Sequence, residues 1–132
     1  MKKFVFFLSI MFTLSLLFVS CSPNQPSAQV IKKFIDEQYP PAHMEIYRGI
    51  YYLRKTTYAE VKNKWSDENK KGVFYFDVEI EMHAYESTDG KNYGREKANR
   101  KLFTYQYNRK GDIWEIEKNP IGTKLIWGPN YL

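Results

Sequence analysis

His83 closes a row of acids set at every second residue, Asp77, Glu79 and Glu81, within the stretch VFYFDVEIEMHAYE (73–86). Carboxylates and an imidazole hold divalent cations and trade protons, so the row could serve as a cation site or as an acid–base pair. Residues two apart on a strand share a face and lie about 6.6–7 Å apart. A cation needs ligands converging on one point at about 2.0–2.6 Å, and a straight row does not converge without another element. The plainer reading is a solvated strand face, neutralised by lysines and arginines of neighbouring strands. No metal site is expected.

Other chemistry finds little purchase. His43, just after Pro40-Pro41-Ala42, reads as an ordinary loop residue. No serine stands in a GxSxG context and no glycine-rich loop is built to cradle a phosphate, so no cofactor is expected. The single cysteine, Cys21, excludes an internal disulfide and a cysteine-rich zinc site. The stretch GKNYGREKANRK (90–101) sets Lys91, Arg95, Lys97, Arg100 and Lys101 against one acid, Glu96, which fits either a polyanion contact or a solvated loop.

The aromatic content is more promising. All 11 tyrosines lie after the first 38 residues, together with Trp65, Trp114 and Trp127. Tyrosine and tryptophan join an apolar body to a polar tip and concentrate at recognition surfaces. Tyr51, Tyr52, Tyr58, Tyr75 and Tyr85, with His83 beside them, are the candidate binding surface on the open side of a sheet. Antiparallel strands also favour tyrosine for packing alone.

Cys21 stands where an apolar run ends. Lys2-Lys3 precede FVFFLSIMFTLSLLFVS, a positive start and a greasy core closing in small residues, as in an export signal. The run is short for a membrane span of about 20 residues, and no basic residues follow at once to stop transfer. Phe18-Val19-Ser20-Cys21 resembles the lipobox of bacterial lipoprotein signal peptides, with Phe18 where leucine is usual. The resemblance implies that Cys21 receives diacylglycerol on sulfur, that the signal (1–20) is cut before it, and that the new amino group is acylated. At about 0.8 kcal/mol per buried methylene, two or three chains hold a protein on a bilayer. Ser22, rather than the aspartate associated with inner-membrane retention, favours the outer membrane where the cell has one. The alternatives are an ordinary signal cut elsewhere, or an uncleaved anchor with Cys21 idle.

Residues 21–26 with their neighbours, SPNQPSAQ, read as a polar, proline-containing tether reaching about 20–25 Å at about 3.1 Å per residue. Lys2 and Lys3 fall in the signal and no acid precedes Asp36. The formal charge of +5 therefore drops to +3, with 18 basic side chains against 15 acidic. This balance, together with export, argues against nucleic acid as a partner.

The elements that position these groups follow from periodicity. SAQVIKKFIDEQ (27–38) predicts a helix capped by Ser27, with Val30, Ile31, Phe34 and Ile35 on one stripe and Tyr39-Pro40-Pro41 as its stop. In 73–86 Phe74, Phe76, Val78, Ile80, Met82 and Ala84 hold one phase, while the acids, His83, Tyr75 and Tyr85 hold the other. That is a strand with one buried and one wet face. Aspartate at Phe76 or Ile80 should unfold the domain, whereas alanine at Glu79 or Glu81 should be nearly neutral. KLFTYQYN and IWEIEK predict a hairpin around RKGD, with Asn108 opposite Ile113, Tyr107 opposite Trp114 and Tyr105 opposite Ile116. Residues 44–65 read as one long strand of ambiguous inward face, and Leu125–Trp127 as a short edge strand.

The expected fold is α+β: one N-terminal helix packed on an antiparallel sheet of about four strands, in a single domain over 27–132. The element order resembles cystatin-like and NTF2-like domains. The leading functional expectation is a lipid-anchored cell-envelope protein, non-enzymatic, binding a protein, peptide or glycan through its sheet. Two other classes share these features: an envelope inhibitor or immunity protein against a secreted hydrolase, and a small enzyme with His83 and an acid in a helix–sheet pocket.

Overall fold

The computed structural model describes residues 25–132, so the signal, Cys21 and most of the tether lie outside the described residues. Among the described residues one α-helix, α1 (Ala28–Gln38), precedes six strands: β1 (Ala42–Tyr47), β2 (Ile50–Ser66), β3 (Val73–Ser87), β4 (Lys97–Lys110), β5 (Ile113–Ile116) and β6 (Gly122–Trp127). The fold is α+β, as the periodicity predicts, with six strands rather than four.

α1 begins where the sequence places it. Ser27 is extended (φ −65°, ψ 154°) and its side-chain oxygen accepts from the Val30 N–H at 3.2 Å. Tyr39, held out of helical geometry by Pro40, ends it. The buried stripe is narrower than expected: Ile31 and Ile35 are buried and Phe34 is partly so, but Val30 is 43% exposed.

The sheet is antiparallel throughout, in the order β1-β2-β3-β4, with β5 and β6 one after the other along the far side of β4. The predicted long first strand is in fact a hairpin. Arg48 (φ 50°) and Gly49 (φ 78°) both occupy the left-handed region and form a two-residue turn that folds β1 back on β2. This primed geometry matches the twist of the flanking strands, and Arg-Gly performs it without the usual Asn-Gly signal.

The second hairpin is tighter than the sequence reading. Lys110 pairs with Ile113 across Gly111-Asp112, so Tyr107 faces Ile116 and Arg109 faces Trp114. Gly111 at φ 62° supplies the positive φ that this turn needs at its first position. Arg109 and Lys110 therefore join the ladder instead of the loop, and the pairing shifts by two residues relative to a four-residue RKGD connection.

On β3 the predicted buried phase holds from Phe74 to Ile80 and again at Ala84, while Met82 is half-buried. Phe74, Phe76, Val78 and Ile80 are at most 1% exposed, and the first three face Tyr107, Tyr105 and Phe103 of β4 across the register. α1 closes this core: the Phe34 ring meets those of Tyr105 and Phe76 edge-on at 4.9 and 6.2 Å, and Ile31 and Ile35 join the same cluster. The core occupies only one half of the long strands. Past Ile80 the same phase continues through Met82 and Ala84, away from the helix-covered cluster.

The opposite phase is not simply wet. Asp77 is only 8% exposed and accepts from Thr104 at 2.6 Å and Asn63 at 3.0 Å. The side chains of Glu79, Glu81 and His83 are 15–21% exposed. Long side chains of β2 and β4 lie across them, helped by register irregularities on β2 at Thr57 and Lys62 that set Tyr58 opposite Glu81 and Glu60 opposite Glu79.

Candidate functional site

The face away from α1 carries most of the predicted surface. Tyr75, His83 and Tyr85 alternate with the buried phase of β3, and Tyr51 and Tyr58 pair with Ser87 and Glu81 on that same side. Tyr52 pairs with Glu86, a helix-side position, so the structure separates it from the other five.

His83 is held from both sides on this face. Its Nδ1 bonds Glu96 and its Nε2 lies 3.2 Å from Glu81. Partial burial pulls the imidazole pKa down, but the two carboxylates outweigh it, and the net shift is upward from the ordinary histidine value. Glu96 and Glu81 shift downward, chiefly through the bond from His83 for Glu96 and the Thr57 hydroxyl for Glu81. With both ring nitrogens engaged, His83 offers no free lone pair to a metal or a substrate proton. It acts as a charged clasp between β3 and the segment before β4.

The neighbouring charges are paired in the same way. Arg100 reaches Glu81 at 3.3 Å and Glu79 at 3.8 Å, while Lys62 lies 3.5 Å from both Glu79 and Glu60. The tyrosines are woven in. Arg100 lies 4.4 Å above the Tyr58 ring, the Tyr58 hydroxyl donates to Glu60, and the Tyr85 hydroxyl donates to Glu96 at 2.9 Å. Tyr75 stacks on Trp65 at 5.5 Å, and Tyr51 packs beside Gly90. The face is a lattice of paired charges and rings, with the acids neutralised by Lys62 and Arg100 of the neighbouring strands. Among the described residues no cluster of three or more His, Cys, Asp or Glu groups is arranged to hold a metal ion.

The concave ground lies on the other side, beyond the C-terminal end of α1. A hollow of about 320 Å³ is walled by Tyr39, Pro40, His43, Glu45, Arg54 and Met82, among others. A second of about 540 Å³ shares Glu45 and Arg54 and adds Ile46, Tyr47 and Tyr52. A third, small one of about 60 Å³ shares Tyr52 and Arg54 and runs on to Ala84, Glu86, Arg95, Lys97 and Tyr131. Arg54 borders all three. Together they form a groove along β1 and β2.

Its floor follows from the apolar phase of β3 ending in a small residue, Ala84. Its far wall is the segment after β6. Gly128, at φ 86°, turns this segment so closely over β4 that a Cβ there would stand 2.4 Å from the Ala98 carbonyl oxygen. Asn99 Nδ2 then donates to the Pro129 carbonyl and Lys101 Nζ to the Asn130 carbonyl, both at 2.7 Å. Burial lowers the Lys101 pKa.

The groove mixes cations with rings. The Arg54 guanidinium lies 3.7 Å from Glu45, itself 3.0 Å from His43 Nε2. Lys97 Nζ lies 5.3 Å from the centre of the Tyr131 ring. The basic stretch 90–101 divides here: Arg95 and Lys97 reach the groove, Arg100 serves the opposite face, and Lys101 lies under the last segment. Sequence reasoning finds Tyr52 but misses Arg54, Glu45 and Tyr131. Arg54 shares a strand phase with Tyr52, but reading 44–65 as one strand puts Ile46 in that phase too, which leaves its inward side ambiguous.

Comparison of the chain with protein-family models, with curated proteins and with solved structures finds no match.

Proposed function

We propose that this chain is a lipid-anchored lipoprotein of the cell envelope, attached through Cys21 and bound for the outer membrane where there is one. Its domain is a non-enzymatic binding module that lays an extended ligand, a protein segment, peptide or glycan chain, along the groove. The order of one helix followed by antiparallel strands supports placing the domain with cystatin-like or NTF2-like folds.

The observation that carries the binding reading is Arg54 bordering three adjoining hollows, with Tyr52 shared by two of them. Arginine and tyrosine are enriched where interfaces place their energy, and an open trough suits a chain better than a small enclosed molecule. The anchor reading rests on the Phe18-Val19-Ser20-Cys21 stretch after its apolar run.

A photo-crosslinking residue at position 52 should capture an envelope component in intact cells, and Arg54→Ala should abolish that adduct. Adducts from position 85 and none from 52 would move the site to the opposite face and overturn the groove. Labelling with a fatty acid should mark the wild type and spare Cys21→Ser. Equal labelling of both would overturn the anchor.

A further inference from the structure

β1 is an unguarded sheet edge. Its sequence, AHMEIY, contains no lysine, proline or bulge, the usual devices that blunt an edge, and all six residues are exposed. Met44, Ile46 and Tyr47 are 54%, 65% and 59% exposed. The opposite edge is broken into β5 and β6, carries Lys124 and Pro120, and has a register shift between Arg100 and Lys101.

The hydrogen-bond parity of β1 is fixed by its junction with β2. The Thr56 N–H donates to the Pro41 carbonyl at 3.1 Å, so Pro41 and Thr56 form a hydrogen-bonded pair. Alternation along the register makes His43–Arg54, Glu45–Tyr52 and Tyr47–Ile50 the other bonded pairs. The N–H and C=O groups of Ala42, Met44 and Ile46 therefore point away from the sheet.

We propose that β1 pairs antiparallel with β1 of a second copy of this chain, centred on Met44, joining two sheets into one. In this register Met44 faces the partner's Met44 and Ala42 faces the partner's Ile46. All three outward-pointing residues then exchange both backbone groups. On the other side of the ribbon, His43 faces the partner's Glu45 and Glu45 faces the partner's His43, so the imidazole–carboxylate bond that each strand makes within itself can be made twice across the seam. Shifting the centre to Glu45 sets glutamate against glutamate in the closer, non-hydrogen-bonded position, and drops Ala42 from the ladder. The strand is self-complementary in backbone hydrogen bonding, apolar contact and imidazole–carboxylate pairing only about Met44. A ribbon this short buries less than the roughly 1,000 Å² of a stable interface, so the pairing is weak and reversible.

Cross-linking tests both the pairing and its register. In the full chain carrying Cys21→Ser, Met44→Cys becomes the single thiol, and a short bismaleimide should yield a covalent dimer. Ile46→Cys should react at least tenfold more slowly, because the two copies of residue 46 are about 14 Å apart along the ribbon. Adding His43→Glu to Met44→Cys should cut the yield several-fold, and adding Glu45→His as well should restore it. Both cysteine sites are exposed, so folding is not at stake. Equal yields at 44 and 46, or no loss with His43→Glu, would overturn the register. No dimer at either site, or adducts to a different polypeptide alone, would overturn self-pairing.

Discussion

Tyr39, one residue past α1, and Tyr105, in the middle of β4, hydrogen-bond hydroxyl to hydroxyl beneath the helix. Burial drives both phenols above the ordinary tyrosine range, with the bond to Tyr105 adding to the upward shift of Tyr39. The pair fixes where the chain leaves the helix for the groove. A third phenol, Tyr107, is buried without a partner among the described residues, and burial pushes it up to about 12.

These three hydroxyls predict opposite responses to the same substitution. Tyr39→Phe or Tyr105→Phe strands one buried hydroxyl and should cost about 1–3 kcal/mol, while the double replacement should recover much of that loss. Tyr107→Phe removes an unsatisfied group and should be neutral or slightly stabilising. Urea unfolding of the four variants measures this, and a costly Tyr107→Phe would show that its hydroxyl has a partner.

The clasp around His83 predicts a pH dependence. A histidine whose folded pKa is raised contributes stability that is complete below its unfolded value near 6.5 and is lost as pH rises through the folded value. Glu81 and Glu96, shifted down, contribute stability present above the ordinary carboxylate value and lost as pH falls. The clasp is therefore strongest between about pH 4.5 and about 6.5, and weakens from there as pH rises through the folded His83 value. The urea midpoint should fall between pH 6 and 8 in the wild type, and this part of the slope should vanish in His83→Gln. NMR titration should place the His83 midpoint above 6.5.

The partial cover over the acids changes what is expected of their removal. Alternation alone predicts near-neutral replacement of Glu79 and Glu81. Glu79, however, is 15% exposed and pairs with Lys62 and Arg100, and the buried Arg100 Nε already lacks a partner among the described residues. Glu79→Ala should cost about 1 kcal/mol, near the top of the range for surface pairs. Phe76→Ala, which empties the centre of the aromatic core, should cost about 3–5 kcal/mol. Equal costs would mean that the two faces of β3 are not distinct.

Much of this fold is legible from the sequence because β3 has a strict period of two and α1 has a capped stripe ended by two prolines. Those signals are local. What escaped was decided by turns and by distant segments. The Arg48-Gly49 turn has arginine where the usual signal has asparagine, so β1 and β2 read as one strand and the side on which Tyr52 and Arg54 fall is ambiguous. The two irregularities on β2 shift its side chains relative to β3 with no composition change to mark them. Asp77 looked solvated because its covers, Asn63 and Thr104, come from other strands. The groove depends on residues as far apart as Tyr52 and Tyr131, a convergence that only the folded register creates.

Gly128 gives the last prediction, because it ties backbone geometry to the groove. Its positive φ disfavours any side chain, and a Cβ would stand 2.4 Å from the Ala98 carbonyl oxygen and 2.7 Å from the Asn99 Cα, both rigid backbone atoms of β4. Gly128→Ala should therefore lift the 128–132 segment rather than reshape the strand. The Asn99 and Lys101 bonds to Pro129 and Asn130 would break, and Tyr131 and Leu132 would leave the groove wall. Released from burial, the Lys101 amine should rise toward its ordinary value, which 15N-detected lysine titration can read. Limited proteolysis should cut after Lys124 or within the lifted segment in the variant first, while the free energy of global unfolding changes by no more than about 1–2 kcal/mol, since the aromatic core under α1 is untouched. If Gly128→Ala instead unfolds the whole sheet, the last segment is part of the core's cooperative unit and not merely a wall laid along the groove.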